Sequence, residues 1–428
     1  MGADVCYKHS APTELGNPRK DGRLREMSDA YAVLSDPMDD SIIQPAFNDL
    51  HAWCRAHDFA GYDPFDALNS RVFQLTPFHR SRTARLFWTQ AIKRFPLNLR
   101  PLALVPPQKN SKGLALFALA TLSNYRRVKT IEAETETRAL LAELCSARIQ
   151  GYKGAAWGYN FAWQSRNFFA PLGTPMVVPT AFAARALVEA HQALGDNSFL
   201  QMARSSCDFL LSDLKRTIDT RDEVCFSYSP FDSTQIFNAS LLAAETLASV
   251  GALTGDTSFC DLALRAARYV VRRQGEDGSW AYGAEPGQHW IDNFHSAYVL
   301  LSLGRIAKSC TGAKAELDEA LRHGFTFWRE RFFLADGWPK YYHDSLYPAD
   351  AHAAATAIIT LLEFRELDSG ALPLAKTIAA WTIRNLRDAR GFFFYQRRRF
   401  YTVHTPYMRW TQGWMLYALA RLLEAEKM

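Results

Sequence analysis

The chain has 428 residues, of which 48% are hydrophobic and 13% aromatic, and its formal net charge is +5. This composition is typical of a folded protein with a large core, and so small a positive charge argues against nucleic-acid binding. Because no apolar run approaches ~20 residues and neither a signal-peptide pattern nor a metal-ligand spacing is present, we expect a cytoplasmic protein without cofactor, metal ion, nucleic-acid partner or transmembrane segment.

The first predicted elements in chain order are a polar arm and a long helical region. Residues 1–25 are rich in Gly, Pro, Lys and Arg, which is typical of a loose arm. From about Ser41 onward, apolar residues recur every three or four positions, the period of an amphipathic helix. We expect residues 26–428 to form a single helical domain.

Five of the helical segments share one register. Each begins with a polar residue, continues with small residues and ends in a strongly apolar run. A unit of this length holds two helices and their connections, which is one αα-hairpin. The first residues of the five segments lie 58, 57, 57 and 59 positions apart, at Thr180, Asn238, His295, His352 and Thr411.

A sixth unit is predicted ahead of these five. The segment Tyr62-Asp-Pro-Phe-Asp66 matches Tyr228-Ser-Pro-Phe-Asp232, and a helix near residues 113–122 follows it. Because the motif is duplicated, we interpret Asp66 and Asp232 as structural residues. Six hairpins predict an all-α fold, an (α/α)6 toroid with the small-residue helices inside, and no recurring β-strand alternation competes with this interpretation.

The loops that lead into the inner helices carry the chemistry-bearing side chains. In a closed ring these loops open on one rim, so residues distant in sequence converge on one cavity. Aromatic side chains there suit sugar rings, and equally a carbocation. His295 and His352 occupy equivalent positions, each two or three residues after an acid, Asp292 or Asp350. These four residues are the predicted catalytic acids and bases.

The remaining candidates are predicted to bind substrate. An arginine near the rim can fork onto a carboxylate or phosphate, and the tyrosines and tryptophan can cover a sugar ring. The predicted substrate-binding residues are Tyr159, Arg166, Tyr228, Asn238, Tyr282, His289, Tyr341, Arg409 and Trp410.

Three segments resemble known families of toroids. Gln274-Gly-Glu-Asp-Gly-Ser-Trp280 resembles the Q-x-x-D-G-S-W clasp of the prenyltransferase and squalene-cyclase-like toroids. Residues 61–70 and 157–166 are similar to bacterial α/α-toroid proteins associated with exopolysaccharide biosynthesis. A more distant similarity links the chain to glucuronyl C5-epimerases and (α/α)6 polysaccharide lyases. These resemblances imply the toroid and a glycan context, and they assign no catalytic residue.

Three functional hypotheses follow. The first is a carbohydrate-active enzyme of bacterial polysaccharide biosynthesis, a hydrolase, lyase or epimerase acting on a glycan or glycan precursor that could contain uronate. The second is an isoprenoid enzyme with an aromatic cavity, against which the absence of an Asp-x-Asp-Asp run argues. The third is a non-catalytic glycan-binding subunit that works with polysaccharide-assembly partners.

Overall fold

Most of the chain is helical. The computed structural model describes residues 40–165 and 168–427; the predicted arm of residues 1–25 lies outside this part, as does Arg166. The α-helices of the described part are α1 (Ile43–Ala56), α2 (Arg71–Gln74), α3 (Arg82–Arg94), α4 (Ser111–Val128), α5 (Ile131–Ser146), α6 (Val177–Leu194), α7 (Asn197–Ser212), α8 (Phe237–Thr254), α9 (Thr257–Val271), α10 (Asn293–Ser309), α11 (Ala313–Phe332), α12 (Ala351–Glu363), α13 (Ala371–Leu386) and α14 (Trp414–Ala425).

Six of these helices form a closed inner ring. α4 packs against α6, α6 against α8, α8 against α10, α10 against α12 and α12 against α14, and contact between α14 and α4 closes the ring. They are the five helices of the common register together with the helix predicted near residues 113–122. Their small and apolar residues are buried over most of their length, since helices that converge on one axis pack closely against their neighbours. The predicted (α/α)6 toroid is confirmed.

The outer layer completes the hairpins. α5, α7, α9, α11 and α13 each pack beside the inner helix that precedes them, whereas α14 is covered by α1 from the other end of the described chain. The outer helices bury only one face; α9, for example, buries Phe259, Leu262, Ala266 and Tyr269, which follow the three- and four-residue period. The sixth hairpin therefore joins the first and the last α-helix of the described chain.

The turns between the hairpins explain part of the repeat. α6 and α8 each end at a glycine with a left-handed backbone, Gly195 with φ 70° and Gly255 with φ 78°. Residues with a side chain rarely adopt this conformation. The aspartates that follow, Asp196 and Asp256, accept hydrogen bonds from backbone N–H groups at the start of α7 and α9. Each glycine thus ends one helix and each aspartate begins the next.

The segment Gln274–Trp280 holds two outer helices together. The side-chain amide of Gln274 donates to the carbonyl oxygen of Ala320 in α11 at 3.0 Å, and the indole N–H of Trp280 donates to the carbonyl oxygen of Val270 in α9 at 3.0 Å. Gly278 has φ +90°, and a Cβ there would lie 2.5 Å from the carbonyl oxygen of His323. The motif therefore acts as a clasp between neighbouring hairpins.

Short antiparallel strands decorate the loops before the inner helices. The strands are β1 (Trp163–Gln164), β2 (Phe169–Ala170), β3 (Arg216–Asp219), β4 (Val224–Phe226), β5 (Lys340–Tyr342), β6 (Ser345–Asp350), β7 (Gln396–Arg397) and β8 (Thr402–Val403). β5–β8 form one sheet in sequential order, with Ala349 opposite Arg397 across β6 and β7, and they join the loops that lead into α12 and α14. Such short strands leave no period-two pattern in the sequence.

Arginine and glutamate side chains link neighbouring inner helices, from the middle of α6 and α8 to the C-terminal end of α12. The Arg185 guanidinium in α6 forks onto Glu245 in α8 at 2.9 and 2.8 Å, and Arg305 in α10 contacts both Glu245, at 2.9 Å, and Glu363 in α12. On the other side of the ring, Arg126 in α4 contacts Glu189 in α6 at 2.9 Å and Glu424 in α14 at 2.7 Å. We call this set the ionic ring.

The ionic ring has its own register in the sequence. One charged residue of each inner helix falls at an equivalent position, and the interval between successive positions is nearly constant and close to that of the helix starts. These positions are Arg126, Arg185, Glu245, Arg305 and Glu363 of the ionic ring and Arg421 in α14, which lies 3.6 Å from Glu424. Because burying an unpaired charge is unfavourable, the pairs of the ionic ring hold neighbouring inner helices to one another.

In the part of the chain that the structure describes, we find no helix whose length and apolar character would let it cross a membrane.

Candidate active site

The two repeat histidines lie side by side at the N-terminal end of the inner ring. His295 is the third residue of α10 and His352 the second residue of α12, on neighbouring inner helices. The Phe294 ring contacts both imidazoles, with centroid distances of 4.1 Å to His295 and 4.7 Å to His352. Tyr298 also lies between them, and its hydroxyl forms a 2.7 Å hydrogen bond with His352 Nε2. The fold therefore brings together two residues that are 57 positions apart.

Asp292 holds His295 in one orientation. Its Oδ1 accepts the backbone N–H of His295 at 3.0 Å and begins α10, while its Oδ2 lies 2.7 Å from His295 Nδ1 and accepts the indole N–H of Trp290 at 3.1 Å. Asp292 is buried, whereas 21% of the His295 side chain is exposed. With Nδ1 on the carboxylate, His295 Nε2 has no hydrogen-bond partner among the residues that the structure describes. A histidine held in this way can exchange a proton with a bound molecule.

Asp350 occupies the equivalent position before α12 but has different surroundings. Its Oδ1 accepts the backbone N–H groups of His352 and Ala353 at 2.8 and 3.1 Å, and its Oδ2 accepts a side-chain N–H of Gln396 at 2.7 Å. The residue has no exposed surface. Burial raises the pKa of the Asp350 carboxyl to about 6, although the donors from Gln396 and the backbone oppose the shift. This geometry is that of a helix cap.

We expect Asp350→Asn to flatten the pH dependence of stability. Between the ordinary carboxyl pKa of 3.8 and about 6, the folded state binds a proton that the unfolded state has released, so the free energy of unfolding decreases as the pH rises through this window. The asparagine keeps the cap and removes the titration. In chemical denaturation at several pH values, the decrease in the free energy of unfolding should be smaller in Asp350→Asn than in the wild type by about 1 kcal/mol or more.

Two other carboxyls set the controls for this measurement. Burial also raises the pKa of Asp66 to about 6, so part of the decrease is expected to remain in Asp350→Asn. The Arg390 side chain lowers the pKa of Asp388 below 3.8, so Asp388→Asn should leave the slope above pH 3.8 unchanged. If the free energy of unfolding of Asp350→Asn had the same pH dependence as that of the wild type, the Asp350 carboxyl would stay charged throughout this pH range.

A buried lysine extends the histidine cluster. Lys112 in α4 is 2% exposed, and its Nζ lies 3.4 Å from the Tyr298 hydroxyl and 4.3 Å from the centre of the Phe182 ring. No carboxylate of the described residues forms an ion pair with it. Burial, together with the charges of Arg409 and Arg185, lowers the pKa of Lys112 well below its ordinary value. Burial and the nearby Lys112 also lower the pKa of His352, which keeps that imidazole neutral at pH 7.

Lys112 was not among the site residues predicted from the sequence. It is the second residue of α4, as His352 is of α12 and Asn238 of α8, so it occupies the same position in the first unit. The interval from Lys112 to Thr180 is longer than those between the later helix starts, because the loop between α5 and α6, residues 147–176, is longer than the loops that precede the other inner helices. An alignment of the first residues of the inner helices would have identified Lys112, whereas the search for a constant spacing did not.

The guanidinium of Arg409 is occupied by a carboxylate of the chain itself. Its Nε and Nη2 donate to Asp63 at 2.5 and 2.8 Å, and both residues are buried. The guanidinium also lies 4.9 Å from the centre of the Tyr159 ring. The fork that the sequence analysis assigned to a substrate anion is therefore filled by Asp63. Neighbouring Asp66 pairs in the same way with Arg100 at 2.6 Å, in agreement with its structural interpretation.

The predicted aromatic residues form one continuous cluster. Tyr282 stacks on Trp290 and contacts His295, with centroid distances of 4.5 Å in both cases. Tyr341 and Trp410 each lie near Phe294, with centroid distances of 5.6 and 5.5 Å, and Trp410 also packs on His352 at 4.4 Å. The hydroxyls of Tyr159 and Tyr228 are 3.5 Å apart on the side of Arg409.

The other predicted substrate-binding residues differ in their placement. Asn238 is buried near the start of α8, and its Oδ1 has no hydrogen-bond partner among the described residues. His289 is exposed and outside the cluster, with Nε2 3.5 Å from the carbonyl oxygen of Ala284. Arg166 lies outside the described residues. In the described part of the cluster, His352 Nδ1 and the Trp410 indole N–H are also buried without a partner, and buried polar atoms of this kind are typical of ligand sites.

The sequence matches no model of a known protein family and no curated protein. Solved structures are similar in fold. Cellobiose 2-epimerase from Bacillus thermoamylovorans has a TM-score of 0.59 and 12% identity, covering 75% of this chain and 88% of that one. A GH76 α-mannanase from Bacteroides thetaiotaomicron has a TM-score of 0.59 and 14% identity, covering 74% of this chain and 87% of that one. An unsaturated glucuronyl hydrolase specific for heparin has a TM-score of 0.55 and 15% identity, covering 74% of this chain and 87% of that one. This chain shares their (α/α)6 toroid fold.

Proposed function

We propose that the protein is a carbohydrate-active enzyme in which His295 exchanges a proton with a bound sugar. The observation that carries the proposal is the fixed orientation of His295: Asp292 binds Nδ1 at 2.7 Å, and Nε2 remains available at a partly exposed position. Tyr282 contacts this imidazole, and Tyr341 lies on the far side of Phe294. Aromatic rings around an acid/base group are suited to the apolar face of a sugar.

The carboxylates favour proton transfer at a sugar carbon over hydrolysis. A glycosidase needs two carboxyl groups that face the scissile bond. Asp292 and Asp350 are 2% and 0% exposed, and all four of their oxygens accept hydrogen bonds within the protein. We therefore infer positioning roles for both acids. Asp292 orients His295, and Asp350 fixes the start of α12 and hence His352.

His352 is proposed to act as a neutral partner of His295. Its Nε2 is bonded to the Tyr298 hydroxyl, which in turn lies 3.4 Å from Lys112 Nζ. Because the pKa of His352 is lowered, its imidazole can donate or accept a hydrogen bond without carrying charge at pH 7. Two imidazoles on adjacent helices supply the two proton-transfer groups that epimerisation, isomerisation or elimination requires.

The similar structures include enzymes of this reaction class beside the two hydrolases, the mannanase and the glucuronyl hydrolase. One of them is a cellobiose 2-epimerase, and another is a D-mannose isomerase. The context of polysaccharide biosynthesis is a further proposal, and it rests on the resemblance of residues 61–70 and 157–166 to exopolysaccharide-associated toroids. Because Asp63 occupies Arg409, the geometry gives no preference to uronate over neutral sugars at that position.

The test is turnover in deuterated water. Purified full-length protein is incubated with neutral reducing disaccharides and with uronate-containing oligosaccharides, and proton NMR follows the products. Epimerisation or isomerisation replaces one carbon-bound proton by deuterium, and elimination produces a vinyl signal; either result supports the proposal. New reducing ends without exchange would contradict proton transfer at carbon. Binding without turnover would favour a glycan-binding subunit, and turnover of prenyl diphosphates alone would favour an isoprenoid enzyme.

A further inference from the structure

One segment of the chain combines a single sign of charge with unusual apolar exposure. Residues 67–104 contain seven Arg and Lys residues and no Asp or Glu, and the next acidic residue is Glu132. The segment contains α2 and α3 and lies in the sequence between the Asp63 loop and the start of α4. We call it the rim insertion. Arg100 is buried against Asp66, but Arg71, Arg80 and Arg82 are exposed, and a surface with cations and no acidic residue of the same segment attracts an anionic partner.

The apolar side chains of the rim insertion point in two directions. Phe73 stacks on Trp88 with ring centroids 5.3 Å apart, and Trp88 donates to the carbonyl oxygen of Ala67 at 3.0 Å, so the segment has an ordered interior. Other large apolar residues face solvent, with Leu75 89%, Leu102 80% and Phe87 71% exposed. Eight of the 18 large hydrophobic side chains that are exposed in the described part of the chain lie in this segment, and such a concentration marks an interaction surface.

The hairpin of β7 and β8 extends this surface. Its tip carries Arg398, Arg399 and Phe400, and Phe400 is 86% exposed. The Tyr401 hydroxyl donates to the carbonyl oxygen of Arg94 at the end of α3, at 3.2 Å, so the tip lies against the rim insertion. The surface therefore joins two segments that are distant in sequence, and both present cations together with protruding aromatic or aliphatic groups.

We propose that the rim insertion and the tip of the β7–β8 hairpin bind the surface of an anionic lipid bilayer. Lys and Arg side chains are attracted to anionic headgroups, and exposed Phe and Leu side chains insert into the boundary between headgroups and acyl chains. A protein partner would favour a flat apolar core with charges of both signs around it. Here single Leu and Phe side chains project from segments that also carry Arg and Lys side chains, and this arrangement fits a lipid surface better.

The surface lies at the same end of the ring as the histidine cluster. The rim insertion precedes α4 and the β7–β8 hairpin precedes α14, and the N-terminal ends of the inner helices carry His295 and His352. Binding in this orientation would place the candidate active site close to the bilayer. The inference rests on surface chemistry alone and does not depend on the proposed reaction.

The test is sedimentation of the full-length protein with vesicles. Phosphatidylcholine vesicles are compared with vesicles that also contain phosphatidylglycerol, at low and high salt. We expect partitioning to the anionic vesicles to be at least about tenfold stronger and to weaken with salt. The double variant Phe87→Ser/Phe400→Ser should reduce it about tenfold or more, as should Arg80→Glu/Arg399→Glu. Ile131→Ser and Lys314→Glu, exposed residues near the ends of the inner helices away from the rim, are the matched controls.

Three results would overturn the inference. The first is equal partitioning of the wild type to neutral and anionic vesicles, or none to either. The second is unchanged partitioning in both double variants. The third is a wild-type dimer in light scattering that becomes monomeric in Phe87→Ser/Phe400→Ser without vesicle binding, which would identify a second copy of the chain as the occupant. Circular dichroism spectra that match the wild type show that the variants are folded.

Discussion

His295→Asn is expected to lower the turnover number on any sugar that the wild-type protein converts by at least about 100-fold, because a positioned general acid or base contributes about 10²–10⁴-fold to a rate. Asparagine can still donate to Asp292 but cannot exchange a proton. The Michaelis constant should change little, since the aromatic cluster around Tyr282 and Tyr341 remains. The measurement is steady-state kinetics with the substrate identified by NMR.

Two variants separate the proton transfer from general damage to the site. His289→Asn removes an exposed histidine outside the cluster and should leave the kinetics unchanged. Asp292→Asn retains a side chain of the same shape and should lower turnover by releasing the orientation of His295, with a shift in the pH profile. If His295→Asn and His289→Asn had the same rate as the wild type, His295 would have no chemical role.

Glu245→Gln is expected to lower the free energy of unfolding by about 3–5 kcal/mol, because it leaves the largely buried Arg185 without a charge partner and removes one of the two partners of Arg305. Glu245 is 4% exposed and accepts hydrogen bonds from Arg185, Arg305 and Ser302. Burial alone would raise its pKa, but the two arginines hold the pKa at about 2. This stabilisation is present above the ordinary pKa of 4.5 and is lost as the pH falls toward 2, so the effect of the variant should shrink in acid.

The matched control for Glu245→Gln is Glu316→Gln. Glu316 also faces an arginine, Arg268, but both side chains are partly exposed, at 39% and 32%. An exposed pair of this kind contributes only about 0–1 kcal/mol. Thermal and chemical denaturation should therefore separate the two variants clearly. Should Glu245→Gln not fold, Glu363→Gln tests the same ring with a smaller expected loss. Equal stabilities of the glutamine variants at 245 and 316 would contradict a supporting role of the ionic ring.

The candidate site was predicted in part because its residues follow the helix register. His295 and His352 stand at equivalent positions, so a repeat that places one at the axis places the other there too. Asp292 and Asp350 each lie two or three residues before one of these histidines, and the sequence pattern assigned both the same role. The structure distinguishes them: a tryptophan and an accessible histidine surround Asp292, whereas Gln396 and two backbone N–H groups enclose Asp350 completely.

Pairing across the chain was not predictable from the same pattern. Arg409 has the side chain of an anion-binding residue, and only the fold shows that Asp63, 346 positions away, occupies it. The assignment of Lys112 was missed because the loop between α5 and α6 disturbs the spacing. The ion-pair partner of Arg409 and the burial of Lys112 both depend on residues that are close in space but distant in the sequence.

The six inner helices and their order were predictable from the amino-acid sequence, because the nearly constant register, the small residues at the helix starts and the glycines at the helix ends all lie within single units. The closure of the ring, with α1 covering α14, and the accessibility of the polar groups at the rim became visible only in the three-dimensional contacts. Local sequence patterns specify helices because the interactions that form a helix act over a few residues. The closure of the ring and the burial of side chains depend on contacts between helices that are distant in the sequence.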